Sequence, residues 1–154
     1  MSAKKLFCSH PPLIWIVALI WLCWSPLTIH AEDMRIKAQL VWGTNQEKPE
    51  EPNVKEVAPD LRDKLRKIFK WKNYFEVSAK PIGLNNKENK KVRMSAKCEV
   101  EIKSLGDKDV EVNLWGEGKL VVTKRLTLSR ATSQAIAGDD KNDSAWFVVL
   151  TLEQ

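Results

Sequence analysis

The chain has 154 residues, with 25 basic and 20 acidic side chains for a formal charge of +5, seven tryptophans, three cysteines and two histidines. That length suits a single domain able to bury a core, and a charge this mild does not by itself call for a polyanion partner; there is no strong nucleic-acid signal. The histidines and two of the cysteines fall together in the first 31 residues, which bears directly on the chemistry open to the rest.

Residues 1–31 read as a secretory signal peptide. Lys4 and Lys5 form a basic start, Leu13–Trp24 is an unbroken apolar run, Ser25 and Pro26 interrupt it, and the small Ala31 precedes Glu32 and Asp33. The alternative is an uncleaved anchor, but the run is shorter than the roughly 20 residues a spanning helix needs. Cleavage after Ala31 removes His10, His30, Cys8 and Cys23 and leaves 123 residues with a formal charge of +3. Both alternatives place residues 32–154 outside the cytosol, in the periplasm or the extracellular space if the source is bacterial. The remaining chain has no imidazole for acid–base or nucleophilic catalysis. It also has one thiol, Cys98, so no intramolecular disulfide.

From Met34 the pattern alternates. Met34, Ile36, Ala38, Leu40 and Trp42 are separated mostly by polar residues, as in a half-buried strand ended by Gly43. Residues 44–59, with three prolines and four glutamates, read as a solvated loop. Pro59 and Asp60 open an amphipathic helix over about 59–70, with Leu61, Leu65, Ile68 and Phe69 forming its apolar stripe.

Beyond the helix the period is two. Phe75, Val77 and Ala79 form one strand. Val92, Met94, Ala96, Cys98, Val100 and Ile102 form a long strand or two joined by a bend, and Val110, Val112 and Leu114 return after a turn at Gly106–Asp107. Gly116–Gly118 turns again into Leu120–Leu128, where Lys124 on the apolar parity suggests a bulge. A polar loop over 138–144 precedes a last strand, 145–152, apolar on both faces and hence central or doubly covered. Residues 32–154 are thus expected to form one globular α+β domain: a mainly antiparallel sheet of about six or seven strands with one amphipathic helix near the mature N-terminus. A β-sandwich with an attached helix is the alternative.

Four features could carry function. Residues 66–75, RKIFKWKNYF, interleave basic and aromatic side chains. Lys67, Lys70, Trp71, Lys72 and Tyr74 are the binding candidates for an anionic envelope component, with a buried role for the aromatics as the competing reading. Trp115, on the polar parity of its strand, is a second surface candidate. Glu101 and Glu111 would face each other if the hairpin folds symmetrically about Gly106, which would suit a carboxylate-dependent hydrolase; like charges directly opposite are unfavourable, however. Asp139, Asp140, Asn142 and Asp143 have a calcium-loop composition without the EF-hand order, and Asn142–Ser144 matches a glycosylation triplet. Cys98, on the apolar parity, reads as a core residue.

No catalytic, cofactor or metal site is assigned from these patterns. The expected role is an exported, non-enzymatic binding or assembly domain that engages an unknown protein or an anionic envelope component, with a membrane tether if the leader is retained. The hydrolase is the alternative, and edge-strand addition to a partner is the third possibility.

Overall fold

The computed structural model describes residues 34–47, 54–141 and 144–153. The expected leader and cleavage site, and the Asn142–Asp143 part of the expected polar loop, therefore lie outside the described residues. All described residues belong to one unit, Glu32–Gln154.

The elements run β1 (Met34–Thr44), β2 (Lys55–Glu56), α1 (Pro59–Ile68), β3 (Asn73–Leu84), β4 (Asn89–Arg93), β5 (Cys98–Gly106), β6 (Asp109–Gly116), β7 (Lys119–Thr127), β8 (Gln134–Lys141) and β9 (Ser144–Leu152). The fold is rich in antiparallel sheet with one helix, as expected. The strands do not form one sheet of six or seven, however. They divide into a five-stranded sheet, β2-β3-β1-β9-β8, and a four-stranded sheet, β4-β5-β6-β7. The physical reason is the patterning itself. Period-two strands with one apolar face need a second apolar layer, and the two sheets supply it to each other. Ile36, Ala38 and Leu40 of β1, Ile82 of β3, and Val148 and Leu150 of β9 meet Val100 and Ile102 of β5 and Val110, Val112 and Leu114 of β6 in one buried cluster.

β9 is apolar on both faces because it is covered on both. It lies between β1 and β8. Val148 and Leu150 face the other sheet. Phe147 and Val149 pack with Val41, Trp71, Tyr74 and Leu65 of α1 in a second cluster. The helix therefore docks on the outer face of the five-stranded sheet. It starts at Pro59, where the missing N–H is not needed, with Asp60 in the first turn and Arg66 and Lys67 in the last. Its buried stripe is narrower than the sequence implies. Leu65 is buried, with Leu61 and Phe69 packed beside the cluster, whereas Ile68 is 68% exposed. Ile68 lies on the flank of that stripe, in the last helical turn, and the sheet does not reach it.

Several local departures follow from turn and edge chemistry. The long run 92–102 is two strands, because Met94 and Ser95 both donate their N–H to the Cys98 carbonyl and bend the chain. Residues 138–141, expected to belong to a polar loop, are the second half of β8, which pairs with β9. Pro81 sits inside β3 opposite Lys37 of β1, on the stretch beyond the short reach of β2, where the other side of β3 has no strand partner among the described residues. β7 carries its bulge at Val121, where the register against Leu114 and Trp115 shifts. Lys124 stays exposed on an edge strand, the kind of inward-parity charge that discourages edge-to-edge pairing.

Candidate functional site

The basic–aromatic segment separates into a buried half and an exposed half. Trp71 is 7% and Tyr74 2% exposed. Trp71 packs edge-on against Phe147 at 5.4 Å and tilted against Phe69 at 6.3 Å. The Tyr74 hydroxyl donates to the Phe69 carbonyl at 3.4 Å, and burial pushes its phenol above the ordinary value. Both aromatics thus fill the space between α1 and the sheet. Lys67, Lys70 and Lys72 remain on the surface, with the Lys70 ammonium 5.2 Å from the Trp71 ring. The exit of the helix is tied down by Arg66, whose Nε donates to the Lys72 carbonyl at 2.9 Å, and by the Asn73 amide, which donates to the Gln46 carbonyl at 2.8 Å.

The two glutamates of the hydrolase alternative do not stand directly opposite each other. In the β5–β6 register Glu101 stands opposite Asn113 and Glu111 opposite Lys103. The shift arises at the turn, where Gly106 (φ 118°) and Asp107 (φ 49°) take left-handed conformations and the ladder is irregular between Ser104 and Gly106. The outcome is the one that like-charge repulsion favours. Glu101 accepts from Asn89 at 2.9 Å and from Asn113 at 3.1 Å. Those bonds, Asn89 first, hold its carboxyl below the ordinary range, the opposite of what a general acid needs. Glu111 pairs with Arg125 at 2.9 Å.

Trp115 does lie on this outer, polar face of the four-stranded sheet, half-buried, with the Lys91 ammonium 4.2 Å above its ring. Lys91 and Arg93 also pair with Glu99 at 2.9 and 3.2 Å, which lowers the Glu99 carboxyl, Lys91 being the larger cause. The face is a cross-linked charged surface. Cys98 is 4% exposed, and burial, with Glu99 adding repulsion, pushes its thiol up to about 11. It is an inert packing residue at neutral pH.

The concave feature of chemical interest lies elsewhere, at one end of the sandwich between the two sheets. A cavity of about 530 Å³ opens there, within the range of small-molecule sites. One wall belongs to the five-stranded sheet: Leu40 and Trp42 of β1, Val77 of β3, and Ser144 and Trp146 at the start of β9. The other belongs to the four-stranded sheet: Ala96 and Lys97 in the β4–β5 bend, Cys98, Gly116, Glu117 and Val121. Trp42 and Trp146 are direct cross-strand partners, so the indoles come from neighbouring positions on one wall. The Trp42 ring also contacts Phe75 at 6.3 Å. Trp146 lies across the backbone of β8 at Gly138, where a Cβ would stand 2.0 Å from the indole. Any other residue there would displace the ring, so this glycine sets the shape of the wall.

At the mouth, the Glu117 N–H donates to the Lys97 carbonyl at 2.8 Å, and Lys97 Nζ stands 3.6 Å from the Glu117 carboxylate, with both side chains largely exposed. The wall residue Val121 is exposed there, whereas Leu120, opposite Trp115, belongs to the outer face of its sheet.

Sequence reasoning placed Trp42 and Trp146 correctly on strands but did not join them. Period-two patterning says which way a side chain points and nothing about which distant strand lies beside it. Among the described residues no group of three or more His, Cys, Asp or Glu is placed to hold a metal ion, and no helix is long and apolar enough to cross a membrane. No protein-family model, curated protein or solved structure matches this chain.

Proposed function

We propose that this chain is an exported, non-enzymatic binding domain whose ligand enters the cavity at the open end of the sandwich. The observation that carries the reading is the pairing of Trp42 with Trp146 on one wall of a space of about 530 Å³ that Leu40, Val77, Ala96 and Val121 also line. Side chains at the end of a sandwich normally close it. Here two large indoles line a gap instead, and apolar walls of that kind are what a binding site presents. Export rests on the leader pattern of residues 1–31. The carboxylate-hydrolase alternative is not favoured, because Glu101 and Glu111 are not opposite each other in the register on which it rested.

The test is a titration of the full chain with a neutral fluorescent probe such as N-phenyl-1-naphthylamine. Saturable one-to-one uptake is expected, and a Trp42→Ala, Trp146→Ala double variant should lose it while keeping its far-ultraviolet circular dichroism. The variant retains residues 1–31, so uptake by the leader persists in it and is separated from uptake by the cavity. Equal uptake by both proteins would refute the reading.

A second reading keeps the anionic envelope component as partner, bound by the outer surface of α1. It is favoured by the exposed Ile68 beside Lys64 and Lys67, an apolar side chain among cations as at a lipid interface. Replacing Lys67, Lys70 and Lys72 with glutamine should abolish salt-sensitive retention on anionic vesicles. Retention that is unchanged and insensitive to salt would rule this surface out.

A further inference from the structure

We infer that the ligand of this cavity is a single-chain amphiphile: one hydrocarbon chain lying in the cleft with an anionic head at the Lys97 mouth. The inference rests on the cavity being a binding site and names what fills it.

Three observations point to a chain. The cleft lies between two facing sheets, whose usual separation of about 10 Å leaves room for one layer of side chains. Where small residues line it, as at Ala96 and Gly116, the space left is one ligand layer thick. Both indoles belong to the same wall and are cross-strand neighbours, while the opposite wall is contributed by Ala96, Cys98 and Val121. A planar aromatic ligand is best held between rings on two sides. A side-by-side floor of two indoles facing small and aliphatic groups offers continuous apolar contact along a line. Finally, the wall residue Val121 is itself 41% exposed, so the apolar wall runs out to solvent and a chain keeps contact as far as the mouth.

The head group follows from the distribution of charge. The lining residues Leu40, Trp42, Val77, Cys98, Val121 and Trp146 carry no charge, and the charged lining residues are Lys97 and Glu117 at the mouth. Their contact is long, at 3.6 Å, and solvated, so it is weak and easily exchanged. Lys119 stands opposite Gly116 where β7 begins. Among the described side chains, these two turns carry Lys97 and Lys119 together with Glu117. A carboxylate or phosphate head can take the Lys97 ammonium in place of Glu117, whereas a cationic head placed there would meet that ammonium.

The experiment is displacement of bound N-phenyl-1-naphthylamine from the full chain by octanoate, decanoate and laurate. Dodecyltrimethylammonium serves as the cationic control of laurate length, and phosphatidylglycerol vesicles as the bilayer control. Affinity should rise about fourfold for each added methylene until the cavity is filled. Laurate should bind more tightly than dodecyltrimethylammonium. Lys97→Gln should weaken laurate roughly two- to fivefold at low salt without changing the chain-length slope. Val121→Asp, at a partly exposed wall position, should weaken laurate more than tenfold. Absence of a chain-length slope, or equal affinity for the cation, would overturn the proposal; displacement by vesicles alone would identify a bilayer surface instead. A probe that binds but yields to no chain defeats this inference and leaves the binding reading standing. A probe that does not bind defeats both.

Discussion

Replacing Trp71 with alanine distinguishes the two roles that its sequence context allows. If the indole were a surface group for anions, its loss would change stability by no more than about 0.5 kcal/mol. In the fold it is 7% exposed and touches Phe69 and Phe147 at 6.3 and 5.4 Å. A tryptophan buries roughly 150–250 Å², which at about 25 cal/mol per Å² corresponds to ~4–6 kcal/mol. The extended-chain reference makes that an upper bound. Aromatic truncations in cores cost about 3–5 kcal/mol, cavity included, and that is the expected loss. Against a total stability of about 5–15 kcal/mol for a domain, the variant should still fold but with most of its margin gone. In a urea titration the midpoint should fall by about 2 M for an m-value near 2 kcal/mol/M, with m unchanged. A shift below about 0.3 M would show that Trp71 is not packed between α1 and the sheet, and the buried assignment of Tyr74 would fall with it.

Gly43→Ala should cost about 1–3 kcal/mol, since the new Cβ would stand 2.8 Å from the Phe147 ring; thermal unfolding of the two proteins side by side checks it, and an unchanged midpoint would contradict the close approach. Glu101→Gln should flatten part of the acid branch of the stability curve. The folded carboxyl lies below its ordinary value of 4.5, so the stabilisation is present above that pH and is lost as pH falls through the folded value; a difference between wild type and variant that stays constant down to about pH 3 would refute this. The Cys98 thiol, raised to about 11 from 9.0, should react with thiol reagents at least roughly a hundredfold more slowly in the native chain than in urea. Mass mapping of the Cys98 peptide over time measures it, and equal rates would place the thiol at the surface.

Much of the fold is legible in particular residues. Alternation placed Ile36 and Ala38, Val100 and Ile102, and Val110 and Val112 on buried faces, and each is buried. The apolar run 146–150 announced a doubly covered strand, and β9 has α1 on one side and the second sheet on the other. Pro59 and Asp60 marked the start of the only helix among the described residues. Of the candidate sites, Cys98 was legible as core. The fate of Trp71 and Tyr74 was not, because one apolar stripe on a helix does not say whether the residues that follow turn in beneath it.

What the sequence determined by itself is direction: which side chains point inward, where a helix can begin, and where glycine and polar residues let the chain turn. These depend on contacts between residues a few positions apart, and their periods are visible in one dimension. Tertiary structure alone decided partnership. The division into sheets of five and four strands, the register that sets Glu101 against Asn113, and the meeting of Trp42 with Trp146 beside a cavity all depend on which distant strands pair. That choice is made by the fit of complete apolar faces against one another, a property of the assembled layers that no local spacing encodes.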